Sequence, residues 1–284
     1  MGGIVFDGIA YGSLLFIISV GLSVTMGLMN FVHLAHGAFA MFGGYLSIWL
    51  TAHWGLPFLL TLPFVFLALG VVGMAIERVL YRRLYKADQL EQVLLTIGLV
   101  FVSMAVATYG WGPGQQSVRL PAMLAGQVRV VGQDLGAYRL FLIALVVAIS
   151  LALRWLVVHT RFGSQIRAAV DNQEVAAGLG IPVNRVYAFT FGLGTGLAGL
   201  GGALGIEVLG LDPTFPLKYM VYFLLVVSVG GAGAIAGAAM AAAALGVCDV
   251  AGKYFLPQVG AFIIYALMVL VLIFFPAGLF GRRA

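Results

Sequence analysis

From Gly8 to Met29 the sequence runs without a single charged side chain, and apolar runs of 18 or more uncharged residues recur along the chain. A helix needs about 20 residues to cross the hydrocarbon core of a bilayer. That repetition constrains the fold more than any motif does. Of 284 residues, 62% are hydrophobic and 9% charged, where soluble domains carry roughly 25% charged residues. The expected architecture is therefore one all-α polytopic membrane domain, 1–284, with about 8 to 9 transmembrane helices.

Nine apolar segments are read in order, at 8–29, 36–52, 56–76, 92–109, 138–158, 186–206, 217–229, 236–251 and 259–275. The N-terminus has no Lys or Arg for a signal-peptide n-region, and Phe6 stands where a myristoylation motif needs Ser or Thr. The first segment is thus expected to remain as a span, with Gly12, Ser13, Gly21, Ser23 and Gly27 packing closely on a neighbour. Asn30 to Gly37 reads as a break. The 36–52 segment, with Gly43 and Gly44 at its middle, is either a tilted span or a re-entrant helix. Pro63 predicts a kink in the third span, and Trp49, His53 and Trp54 an interface belt. The sixth span carries Gly192, Gly196, Gly201 and Gly205, a small-residue pattern that lets backbones approach, and is expected to be a central helix. Gly230 to Gly237 marks a tight break between apolar helices, without the preceding strand that a phosphate loop requires. The 111–137 stretch is the longest loop. Its β-prone Gln127–Gly132 run predicts a small hairpin at the membrane surface, and Pro276 ends the last span.

The net charge of +5 points to no nucleic acid, because the basic residues sit in short loops and form no stripe with interleaved aromatics. They sort by side instead. With the N-terminus outside, ten Lys and Arg residues fall inside: Arg78, Arg82, Arg83, Lys86, Arg154, Arg161, Arg167, Arg185, Arg282 and Arg283. Five fall outside: Arg119, Arg129, Arg139, Lys218 and Lys253. This bias places the C-terminus and the 161–182 stretch in the cytoplasm. Plain topogenic charge also accounts for Arg78 and Arg82, with which Glu77 has no ideal pairing geometry.

Residues 161–182, RFGSQIRAAVDNQEVAAGLGIP, are the one long polar interruption in the second half. Ser164 is expected to cap a short helix through Val170. Asp171, with Glu174 three residues on, reads as a second capping signature that starts another helix near Asn172. Gly178 and Gly180 offer positive-φ positions and Pro182 cannot continue the helix, so a helix–elbow–helix between spans is predicted. A plain connection needs only about 2–8 residues, so this stretch has room for a role beyond linkage. An amphipathic interfacial segment is the simpler alternative.

Within that stretch Glu174, Ala176, Ala177, Gly180, Ile181 and Pro182 resemble the cytoplasmic coupling loop of bacterial ABC importer permeases. The resemblance extends to Gly27–Tyr45, Glu77–Arg82, Gly230–Gly237 and Phe275–Gly281, which are similar in order to signatures of the branched-chain amino acid permease subunits of the binding-protein-dependent transport family. His33 is a departure, since that family usually carries Asn there.

The lysines Lys86, Lys218 and Lys253 all lie outside any Gly-x4-Gly-Lys-Ser/Thr phosphate loop, so no ATP site is read in this chain. Spans one, three, four, five and six have no ionisable group at their centres, against the pattern of proton- or ion-coupled carriers. An ion-coupled secondary carrier or channel for a small polar solute stays as the alternative, kept by Glu207 and Asp249, although Glu207 and Asp212 read first as span-end groups reaching water. Asp249 and Lys253 have i,i+4 spacing. His33 and His36 are too few ligands for a metal and read as hydrogen-bonded structure, and Cys248 stands alone, so a membrane-embedded enzyme has no constellation to rest on.

The resemblance implies the rest: a permease subunit in a bacterial inner membrane, importing branched-chain or other amino acids, urea or short amides. Its partners would be a second permease subunit, two cytoplasmic ATPase subunits that use the ATP, an extracytoplasmic substrate-binding protein meeting the 111–137 loop, and membrane lipid. The ATPase contact falls on Arg167, Asp171, Glu174, Val175, Ala176, Ala177, Leu179 and Gly180 within 159–185, with Val175, Ala176 and Leu179 as an apolar knob. No cofactor, metal or substrate-contact residue is read.

Overall fold

The protein is described here from a computed structural model, which covers residues 2–29, 33–85, 87–118, 120–130, 133–231, 233–275 and 278–279. Asn30, Lys86, Arg119, Pro276, Arg282 and Arg283, on which expectations above rest, lie outside the described residues.

Every one of the nine apolar segments is a helix. Helices α1 (Gly2–Met29), α2 (His36–Trp54) and α3 (Phe58–Ile76) open the chain, with Pro63 inside α3 without ending it. A π-helical turn, Glu77–Tyr81, and the short α4 (Arg82–Leu84) continue α3 toward α5 (Gln89–Trp111). Strands β1 (Gln127–Val130) and β2 (Gln133–Gly136) then pair antiparallel, with Val128 opposite Leu135, so the expected hairpin is present. Helix α6 (Ala137–His159) leads through α7 (Arg161–Asp171) and α8 (Gln173–Gly178) into α9 (Val183–Leu209), followed by α10 (Phe215–Gly230), α11 (Ile235–Phe255) and α12 (Gly260–Phe274). Among the described residues, six helical stretches are long and apolar enough to cross a membrane, and α10 and α12 are shorter apolar helices. The result is an all-α polytopic fold.

Helix α9 is the hub, as its glycines predicted. Its most apolar stretch is 89% buried, against α1, α2 and α3. The approach is backbone to backbone: a Cβ added at Gly202 would stand 1.8 Å from the Ala40 carbonyl oxygen of α2. One added at Gly43 would stand 2.1 Å from the carbonyl oxygen of Gly199. In lipid, where one apolar surface is worth nearly as much as another, such close contact is what holds helices together. Thr195 adds an interhelical hydrogen bond, its hydroxyl donating to the Leu69 carbonyl at 3.1 Å. The small face of α1 packs as expected, Gly12 on α11 at Ala242 and Gly21 on α9 at Gly194.

The start of α2 lies alongside the middle of α1, because His36 Nε2 donates to the Ile18 carbonyl at 2.8 Å. His33 packs its ring against Tyr81 and Phe191, each at 5.0 Å between centroids, and both histidines are buried. The break after α10 is as expected, with Gly231 and Gly233 at φ 91° and 80°, and the Gly233 N–H donating to the Ser23 carbonyl of α1.

Candidate functional site

The stretch between α6 and α9 folds as two short helices, but its caps are not those expected. Thr160 caps α7, its hydroxyl accepting from the Gly163 N–H at 3.1 Å, while Ser164 sits inside the helix and donates to the Arg161 carbonyl. Asp171 is the last residue of α7, still helical, and is not the N-cap of α8. The second cap is Asn172, whose Oδ1 accepts from the Val175 N–H at 3.0 Å. The reason is backbone geometry: an N-cap side chain needs an extended residue, and Asn172 has φ −159° and ψ 108° where Asp171 is still helical. One residue therefore ends α7 and begins α8. Glu174 lies in the first turn of α8, where its charge opposes the helix dipole favourably.

The end of α8 is closed by paired hydrogen bonds, Ile181 N–H to the Ala176 carbonyl and Gly180 N–H to that of Ala177, with Gly180 at φ 83°. This is the Schellman arrangement, which needs a left-handed residue at Gly180. Gly178 stays within α8, so only one of the two glycines expected at positive φ has that conformation.

Helix α7 buries Gly163, Ile166 and Ala169, three residues apart and so on one face. Ile166 and Ala169 join Ala176, Val183, Val186 and Tyr187 in a small core of their own. Ala176 is 1% exposed and belongs to this core, which removes it from the predicted knob. What remains outward is Val175, 57% exposed, and Leu179, 77% exposed, with Asp171, Glu174, Ala177 and Gly180 also exposed around them. Two large aliphatic side chains left in water on a helix tied down at both ends are a ready contact surface. Arg167 is exposed as well, its guanidinium donating to the Val157 carbonyl in the last turn of α6, where a cation also meets the negative end of the dipole.

Sequence spacing missed a connection beneath this core. Glu77 is 1% exposed, contrary to its reading as topogenic charge, while Arg78, Arg82 and Arg83 are exposed as expected. The Tyr85 hydroxyl donates to Glu77 Oε1 at 2.5 Å, and the Tyr85 ring meets that of Tyr187 edge-on at 5.6 Å. Burial first, and then the bond to Glu77, push the Tyr85 hydroxyl well above the usual tyrosine range, so it stays a donor. An i+8 partner lies beyond the i,i+3 and i,i+4 rules that a helical sequence offers.

At the other end of the molecule a polar cavity of about 1030 Å³ lies beside the hairpin, lined by Asp7, Asp134, Tyr138, Arg139 and Glu207 among others. Arg139 and Asp7 form an ion pair across it. Glu207 occupies the last turns of α9 and is exposed, and Asp212 accepts from the Thr214 N–H at 2.8 Å, so both are at a helix end as read. Asp249 is buried, 1% exposed, and holds Lys253 Nζ at 2.6 Å, the expected i,i+4 pair.

Comparison with known proteins then places the whole chain. The family described as branched-chain amino acid transport system / permease component matches residues 4–272. The chain is similar to the high-affinity branched-chain amino acid transport system permease protein LivH of Escherichia coli strain K12, 28% identical over 98% of this chain and 94% of that protein. LivH of Salmonella typhimurium strain LT2 is 27% identical over the same shares. BraD of Pseudomonas aeruginosa, a protein of the same description, is 26% identical over 97% of this chain and 94% of its own length. No solved structure matches.

Proposed function

We propose a role from one premise: this chain belongs to the family of branched-chain amino acid transport permeases. It is the membrane-spanning subunit of an ATP-driven importer, pairs with a second permease subunit, and takes its energy from two ATPases docked on α7 and α8. Its cargo is a branched-chain or other amino acid, or a compound of similar size such as urea or a short amide, delivered by an extracytoplasmic binding protein. The N-terminus and the hairpin face outward and the C-terminus faces the cytoplasm. The observation that carries the docking reading is the exposure of Val175 and Leu179 on a doubly capped helix, bordered by Glu174.

The test is co-expression with its genomic neighbours, purification in lipid, and assay of ATPase co-purification, ATP hydrolysis and uptake. Glu174→Lys puts a cation at the positive end of α8 and reverses the charge beside the patch. Gly180→Pro forbids the positive φ that closes the helix. Both variants are expected to remain in the membrane, to release the ATPases and to lose uptake. Normal uptake by both would sink the docking role.

A further inference from the structure

We propose that Glu77 and Tyr85 are positioning residues that carry a displacement of α7 and α8 to the inner end of α3, so that ATPase movement reaches α3 through one hydrogen bond. This rests on the reading of α7 and α8 as the ATPase dock.

The connection is continuous. Ala176 of α8 and Ile166 and Ala169 of α7 share a core with Tyr187, which is 5% exposed at the start of α9. The Tyr85 ring stands perpendicular to Tyr187, at 83° and 5.6 Å between centroids, and packs against the same core. Its hydroxyl is bound to Glu77 Oε1 at 2.5 Å. A buried carboxylate is costly unless hydrogen-bonded, so Glu77 follows the hydroxyl that holds it rather than letting it go.

Glu77 opens the π-helical turn Glu77–Tyr81. Such a turn widens one step of the helix and is frequent at functional sites. Its two inward residues are Glu77 and Tyr81, both buried. Tyr81 lies against Phe191 of α9, at 5.1 Å between centroids. The turn is thus held from below by Tyr85 and from the side by α9. Above it, α3 contributes Leu69, Val72 and Ile76 to the wall of an apolar cavity of about 510 Å³ shared with α2 and α5. Movement of Glu77 therefore moves a wall of that cavity. Nothing in this arrangement requires chemistry; a tyrosine here is a strut.

The experiment compares Tyr85→Phe, Glu77→Leu and Glu77→Gln in the assembled importer in lipid vesicles, with binding protein and ATPases present. The readout is uptake per ATP hydrolysed. Tyr85→Phe and Glu77→Leu are expected to keep the ATPases bound and hydrolysing while uptake per ATP falls by about tenfold, the scale of a hydrogen bond to a charged group. Glu77→Gln keeps an acceptor and is expected to retain most of the uptake. Unchanged uptake per ATP in Tyr85→Phe would overturn the proposal. So would parallel loss of ATPase binding and uptake, or loss of folded protein on removing that one hydroxyl, because the bond would then only hold the structure together. Glu174→Lys separates the two readings. If it releases the ATPases while Tyr85→Phe transports normally, the dock stands and the strut alone fails.

Discussion

Helices α6 and α9 are both written as long apolar runs, and they live in opposite surroundings. The apolar stretch of α6 has mean hydropathy 2.6 and is 17% buried, whereas that of α9 has 1.4 and is 89% buried. The more hydrophobic helix is the more exposed one. In water the order would be reversed, since burial there is driven by apolar area. In a bilayer both helices are already in oil, and what selects the central position is the ability to come close. Helix α9 does so with glycines at Gly194, Gly199 and Gly202, while α6 presents Val147, Leu151 and Trp155 to its surroundings, each more than half exposed.

The contrast is broken most severely at the closest contact. Gly202→Leu would drive a side chain into the backbone of Ala40, and loss of folded protein in detergent extracts is expected; Gly98→Leu in α5, where an added Cβ meets nothing within 4 Å, is expected to leave the yield unchanged. Equal yields would show that close approach is not what centres α9. Asn172→Ala removes the cap shared by α7 and α8 and is expected to cost about 1 kcal/mol. Limited proteolysis of the α7–α8 stretch should quicken in that variant. Thr195→Val removes the bond from α9 to the Leu69 carbonyl, with an expected loss near 0.6 kcal/mol by ~thermal unfolding in detergent, typical of such bonds in membranes. Leu151→Ala on the outer side of α6, 62% exposed, is expected to have the smallest effect of all. A large loss there would mean that another protein, rather than lipid, covers that face.

The two short helices α7 and α8 show where sequence reading stops. Their existence follows from a polar stretch too long for a plain link and from Gly180 followed by Pro182. Their caps shifted, to Thr160 and to Asn172, because capping depends on which residue turns extended and not on which has the stronger side chain. Ala176 was expected outward and is buried, since the angle at which α8 folds back on α7 and α9 is a tertiary property. The aliphatic surface itself was legible in Val175 and Leu179. Arg167 also ties α7 to the end of α6, a bond that spacing along the sequence does not announce. Glu77 had no partner at ideal spacing along its helix, and its partner Tyr85 stands eight residues on, beyond a π-helical turn.

By itself the sequence determined that this chain lives in a bilayer, which segments are helical, that the sixth span packs closely, and where two short helices interrupt the membrane domain. All of these follow from composition and from patterns within one or two turns, which the chain carries wherever it folds. Tertiary structure alone decided that α2 begins beside the middle of α1, that Ala176 turns inward, and that Glu77, Tyr85 and Tyr187 meet. Those outcomes depend on residues brought together from different helices, and in a membrane such meetings are set by shape and by buried hydrogen bonds rather than by hydrophobicity, which is nearly the same along every span.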